Sequence, residues 1–338
     1  MLALLVIVAH GAELLDGNRS RELLTMIFGT ITFGEFAVDG FFIISGYLIT
    51  SSYLNSSSLR KYFANRVKRI YPGFLAATLL CVVFVAPLGG INPSTFSVGN
   101  WISIAQHALR LDPPQVGNVF EGQPHAALNA ALWTIKYEFE CYLLVPIVGY
   151  LGLFKRKWIL LTVAASLMVL HMVVQSGLLA PLLEPLQRSG MVLAVIGNPA
   201  HLIRFVMFFA CGSCFRVFRE DYRLSARGAA VSAALLLPAM FSHLLAEPAM
   251  AVFGAYVIFW IAFNMKARWF IRLNQPHDIS YGVYLYAWPA TMLIVRFVPD
   301  PPVVLVILLT ATAAILMGAL SWFLVEKPAT KLEFDRNW

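Results

Sequence analysis

Charge is scarce in this 338-residue chain: Lys, Arg, Asp and Glu make up 13% of it, about half the share of a soluble globular domain. Hydrophobic residues take 59% and the mean hydropathy is +0.73. The apolar residues run in long, nearly uncharged stretches such as Val303 to Ala319 and Trp158 to Leu170, which excludes a single soluble core. Strict alternation, the mark of a barrel strand, is missing. Cysteine is scarce too, and all four residues, Cys81, Cys141, Cys211 and Cys214, fall in apolar stretches, so no disulfide framework is expected. Cys211 and Cys214 have a CxxC spacing without a second ligand pair nearby; packing is expected of them, and no metal site. There is no internal repeat or low-complexity tract. The net charge of +7 does not argue for nucleic acid, because membrane proteins gather basic residues on their cytoplasmic loops.

An all-α fold follows, a polytopic membrane helical bundle of about ten spans. They are expected near residues 1–15, 31–53, 73–92, 131–153, 158–180, 200–218, 225–245, 248–265, 277–298 and 302–326. Residues 93–130, rich in Pro, Gly, Asn and Gln, read as a structured loop. Basic residues concentrate in alternate connections. Arg60, Lys61, Arg66, Lys68 and Arg69 precede span three, Lys155 to Lys157 follow span four, and Arg216, Arg219, Arg223 and Arg227 surround the end of span six. Lys266, Arg268 and Arg272 follow span eight, and Lys327, Lys331 and Arg336 come last. Both termini are therefore expected to be cytoplasmic. The chain begins at Met1 already inside apolar sequence, so a start upstream of Met1 is expected, and a cleaved signal peptide is not.

Ionisable groups at lipid depth are costly and are usually functional or paired. His10, Glu35, Asp39, Lys136, Glu138, Glu140, His171, His201 and Arg204 fall inside spans, whereas Glu13, Asp278 and Glu326 sit at span ends within reach of water. If span one runs outward and spans two and four inward, His10, Asp39 and Glu138 share the outer half of the membrane, the last two about 10 Å deep. Each has two readings. His10 is a proton-transfer base or an interhelical donor; Asp39 orients His10 or caps backbone beside Gly40; Glu138 is functional or a helix-to-helix hydrogen bond. Lys136 and Glu140, four apart, are expected to pair, and Glu35 reads as an interfacial carboxylate. Arg66 and Arg69, three apart before Pro72, read as a positive-inside anchor or as two guanidinium forks able to hold phosphate. Pro72 is expected to mark a helix boundary. His107, His125, His243 and His277 gain no role from the sequence.

Together the segments Leu4 to His10, Asp39-Gly-Phe-Phe-Ile-Ile-Ser-Gly-Tyr47, Arg66-Val-Lys-Arg-Ile-Tyr-Pro72, Leu132-Trp-Thr-Ile-Lys-Tyr-Glu138, Ile279 to Pro289 and Val325-Glu-Lys-Pro328 resemble the acyltransferase-3 family of integral membrane O-acyltransferases. The resemblance covers nearly the whole chain as a single membrane domain, residues 1–338, and implies no appended soluble domain. It implies transfer of an acyl group, usually acetyl from acetyl-CoA, to a hydroxyl of a surface or exported saccharide. His10 would be the catalytic histidine, Arg66 and Arg69 the donor-side pair that holds the CoA phosphates, and Glu138 the glutamate of the family's Trp-to-Glu motif. Two positions depart from the pattern. The arginine that the family places about three turns before the histidine would precede Met1, and Ala287 stands where many members have histidine.

In the expected mechanism His10 removes the acceptor proton, with Asp39 or Glu138 fixing its tautomer as the third member of a triad does. Expected partners are membrane lipid and a saccharide or lipid-linked glycan, with no nucleic acid, in the inner membrane of a bacterium. The alternative is a transporter or flippase for a glycan or lipid-linked sugar, which would also place ionisable groups at mid-membrane depth. A purely structural membrane subunit is a third reading.

Overall fold

The computed structural model describes residues 1–264 and 278–331, and every regular element among them is helical. Lys266, Arg268, Arg272, His277 and Arg336 lie outside the described residues. A helix occupies each expected span: α1 (Leu2–Asp16), α2 (Phe33–Leu54), α3 (Leu59–Leu80, continuing as one rod to Leu88), α4 (Val98–Leu109) in the long connection, α5 (Trp133–Tyr150), α6 (Lys157–Gln175), α7 (Pro199–Val217), α8 (Ala226–Ala239), α9 (Ala246–Asn264), α10 (Ser280–Phe297) and α11 (Val303–Ser321, continuing to Lys331).

Six of the rods, those of α2, α3, α6, α7, α9 and α11, are long and apolar enough to cross a membrane. The apolar helices tend to lie outermost: only 17% of the most apolar window of α6 and 22% of that of α11 are buried. By contrast α1, with His10 and Glu13, and α10, with its tyrosines and threonine, bury much of their length in the bundle. Helices that present apolar side chains outward need no protein partner there, whereas polar ones must be enclosed.

The third rod corrects the expected boundary. It starts at Leu59, fourteen positions before the predicted 73, because the Ser58 side chain accepts from Lys61 N and caps it. Pro72 consequently lies inside α3 and ends nothing. Arg66 and Arg69 are one helical turn of that rod, not a loop before it. The long connection also holds more order than a loop, since Ser97 and Asn100 cap one another reciprocally at the start of α4.

Two other interior prolines place neighbours accurately. A proline has no N–H, so the carbonyl four residues earlier loses its helical donor. Pro146 frees Tyr142 O, and the buried Tyr62 hydroxyl on α3 donates to it at 2.8 Å. Pro289 frees Leu285 O, and the buried Asn129 amide donates to it at 2.8 Å. The first bond ties α3 to α5 and the second ties the long connection to α10.

The closest helix contact is between α2 and α7. A Cβ on Gly46 would stand 2.0 Å from Phe209 O, and one on Gly212 would stand 2.0 Å from Ile43 O, so only glycine permits this approach. Thr50 Oγ1 donates to Ser213 Oγ at 2.9 Å beside it. Gly282 and Gly318 do the same for α10 against α11. Gly212→Val should therefore cost at least about 3 kcal/mol, the upper range for overpacking, and lower the thermal midpoint in detergent. An unchanged midpoint would contradict this packing.

Candidate active site

Two polar groups of the bundle stand out, and they hold different residues. The first lies where α1 ends. His10 and Glu13 share a face of α1, and His10 Nδ1 lies 3.1 Å from Glu13 Oε2. Gly17, at φ 76, stops the helix in the left-handed conformation that glycine adopts without penalty. The chain then turns back, so that Arg19 Nε donates to Glu13 Oε1 at 2.7 Å. Glu13 is buried, and Arg19 supplies its counter-charge. The indole of Trp288 on α10 meets the His10 ring edge-on at 5.0 Å and that of His125, from the long connection, at 5.7 Å.

Asp39 is not in this group. Its Oδ2 accepts from Arg204 at 3.0 Å, and the Arg204 guanidinium also lies 3.0 Å from Glu247 Oε1. Glu247 Oε2 accepts from Gln175 at 2.9 Å and pairs with His171. Asp39, Arg204, Glu247, His171 and Gln175 thus form a chain of ion pairs and hydrogen bonds that joins α2, α7, α9 and α6. The structure assigns Asp39 to this clamp, and the carboxylate against His10 is Glu13.

Glu138 lies apart from both. Its Oε1 accepts from the Tyr142 hydroxyl, one turn further along α5, at 2.5 Å and from Ser45 Oγ at 3.2 Å. It lines a cavity of about 120 Å³ between α2, α3, α5 and α10, whose wall includes Phe41, Arg69, Thr134, Tyr281 and Tyr284. Thr134 Oγ1 and Tyr284 Oη are 2.7 Å apart. Tyr284 precedes Trp288 by four residues on α10, one helical turn or about 6 Å, so the cavity wall and the His10 group lie on successive turns of one helix.

Arg69 lines this cavity, and Arg66, one turn earlier on α3, lies against Tyr142 in its wall. Arg69 bonds Asp278 at 2.5 Å and approaches the buried Glu326 at 3.5 Å, with its guanidinium over the Tyr281 ring. Arg66 lies against the rings of Tyr62 and Tyr142, and its Nε is buried without a hydrogen-bond partner. No described carboxylate is within ion-pair reach of Arg66, which leaves it the less committed of the two cations.

The expected Lys136–Glu140 pair does not form. Lys136 Nζ turns instead to Asp112 at 3.2 Å and to the Leu193 and Ala194 carbonyls at 2.9 Å each, while both Glu140 oxygens are buried without partners. Spacing of i, i+4 permits a pair but does not outweigh three acceptors on two neighbouring segments. Glu35 caps its own helix with Thr32. Cys211 and Cys214 are free and buried, and no metal-ligating cluster occurs among the described residues.

Sequence reading missed Glu13, treated as a group that reaches water, together with Arg19 and His125. The i, i+3 spacing of His10 and Glu13 was the available signal for the first. Nothing local signalled His125, which reaches Trp288 only through the folding of the long connection.

A family model described as an acyltransferase domain matches residues 1–325. The chain is also similar to a protein of Shigella phage Sf6 described as an O-acetyl transferase, 26% identical over 340 residues that cover 96% of this chain and 92% of the relative. No solved structure matches.

The Asp39–Arg204–Glu247 clamp makes a direct prediction. Arg204→Met would leave two buried carboxylates without their cation, a loss of about 3–5 kcal/mol, and should sharply lower yield and thermal midpoint. A variant as stable as the parent would show that the clamp is dispensable.

Proposed function

The chain belongs to the acyltransferase-3 family, and we propose that it is a membrane O-acyltransferase moving acetyl from acetyl-CoA to a hydroxyl of a cell-envelope saccharide. One observation carries the mechanism: His10 is held at Nδ1 by the buried carboxylate of Glu13. With the proton on Nδ1 donated to Glu13, Nε2 keeps its lone pair, which is the arrangement of a general base with an orienting carboxylate. Arg19 keeps Glu13 ionised by direct contact.

His10 Nε2 then takes the proton of the acceptor hydroxyl as its oxygen attacks the thioester carbonyl. The carbon–sulfur bond breaks, and the imidazolium returns the proton to the departing thiolate, so His10 ends as it began. Glu13 stabilises the imidazolium between these two transfers, as the buried carboxylate of a triad does.

The donor's phosphates fall to Arg66, whose guanidinium has spare donors, while Arg69, already held by Asp278 and Glu326, shapes the cavity mouth. A cavity of about 120 Å³ suits the narrow thioester end of the donor and leaves the nucleotide outside. Glu138, with Tyr142 and Ser45, lies along the route from that mouth towards Trp288 and His10. In this reading the bundle spans a bacterial inner membrane about ten times, with both termini cytoplasmic, the arginines facing the cytoplasmic donor and His10 in the outer half. The acyltransferase match and the O-acetyl transferase relative favour this over transport of a glycan.

The test is transfer of radiolabelled acetyl from acetyl-CoA to cell-envelope polysaccharide by membranes that contain the protein. His10→Ala should lower the rate by about 10²–10⁴-fold, the contribution of a positioned base. Glu13→Gln should lower it by about 10²-fold or more through loss of the orienting charge. Undiminished transfer by His10→Ala at equal expression would remove His10 from the chemistry.

A further inference from the structure

Residues 119–129 cross the end of α1 as a loop fixed at both ends. On one side Val119 and Phe120 are fully buried, Phe120 N donates to Gly89 O at 2.9 Å, and Phe120 itself holds a φ of 58, a conformation that costs a bulky side chain energy. On the other, Leu128 and Asn129 are fully buried, Asn129 bonds Leu285 O, and Trp288 Nε1 donates to Ala127 O at 3.1 Å. Between these anchors Pro124 rests against Gly17, where an added Cβ would meet it at 3.3 Å. His125 reaches down beside the His10 group.

His125 Nε2 is buried and has no hydrogen-bond partner. Its nearest ionic neighbour, Glu13 Oε1, is 3.9 Å away, beyond hydrogen-bond range, and that oxygen already accepts from Arg19. Gln123 Oε1, on the same loop, is likewise buried and unpartnered. Buried polar atoms without partners call for an explanation, and a ligand that supplies the missing bonds is one. Here the segment is rigidly anchored, yet it carries His125 to the edge of the same indole that His10 touches.

We infer that residues 121–127 are the acceptor-recognition loop, and that His125 binds a hydroxyl adjacent to the one His10 deprotonates. The inference rests on the acetyl-transfer reading and deepens it: a saccharide carries neighbouring hydroxyls, each both donor and acceptor, and so can satisfy His10 and His125 together. His125 takes no part in the proton transfers; it selects which hydroxyl faces His10. The loop accordingly sets specificity for the acceptor and not for the donor.

The experiment uses membranes with the full chain, radiolabelled acetyl-CoA and bacterial cell-envelope polysaccharide stripped of O-acetyl groups by mild alkali. His125→Ala should raise the KM for polysaccharide about tenfold, the effect of losing one hydrogen bond, with the KM for acetyl-CoA unchanged. Nuclear magnetic resonance of the product should show acetyl spread over more than one hydroxyl. His125→Gln, which keeps a donor and an acceptor, should recover part of both and serves as the measurement if the alanine variant does not accumulate. Unchanged polysaccharide KM and product pattern in both variants would overturn the inference while leaving the acyltransferase reading intact, and so would an equal rise in the acetyl-CoA KM, the sign of general damage. Absence of transfer by the parent protein would overturn both.

Discussion

A charge enclosed in an apolar bundle has to meet its counter-charge within the protein, and the arrangement of helices here follows from that requirement. Arg204 stands between Asp39 and Glu247 and so fixes α7 against α2 and α9, while Glu247 extends the chain to His171 and Gln175 on α6. Lys136 is neutralised by Asp112 and two carbonyls, which pins α5 to the long connection and to the segment before α7. Close glycine contacts supply the fit, but the buried charges decide which helices must be neighbours. Even the outer helices are tied in this way, α6 through His171 and Gln175 and the α11 rod through Glu326, 3.5 Å from Arg69.

The same requirement separates scaffold from chemistry. Lys136 has its three bonds made, and Asp39 is held through Oδ2 by Arg204. His10 is bound at one nitrogen only, His125 has a nitrogen without a partner, and Arg66 lacks a described carboxylate. Both imidazoles meet the Trp288 indole, and Tyr284, one turn earlier on α10, shares a cavity wall with Arg69 and Glu138. Membership of an acyltransferase family makes these the groups in which to look for the chemistry.

Much of this was legible in the sequence, because hydrophobic runs near the length of a span need no tertiary information. The helical class, a helix in each apolar run and the short register of internal charges follow from it. What escaped depended on distance along the chain. Asp39 and Arg204 are 165 positions apart, and no local pattern announces that they meet, so the sequence leaves Asp39 between orienting His10 and capping backbone beside Gly40. Pro72 was taken as a boundary because proline usually breaks helices, yet the rod capped at Ser58 runs through it. Glu13 was assigned to water because it sits at a span end; the turn at Gly17 brings Arg19 back over it and encloses it instead.

The account turns on the proton at His10. If Glu13 holds Nδ1–H, the neutral imidazole presents an unprotonated Nε2 to the acceptor; if the proton sits on Nε2, His10 can donate but cannot serve as the base. Nitrogen-15 magnetic resonance of labelled histidine, with the His10 signal assigned by comparison with His10→Gln, reads the tautomer directly. The account predicts the Nδ1–H form in the parent protein and its loss in Glu13→Gln. An Nε2–H tautomer in the parent, indifferent to Glu13, would contradict it.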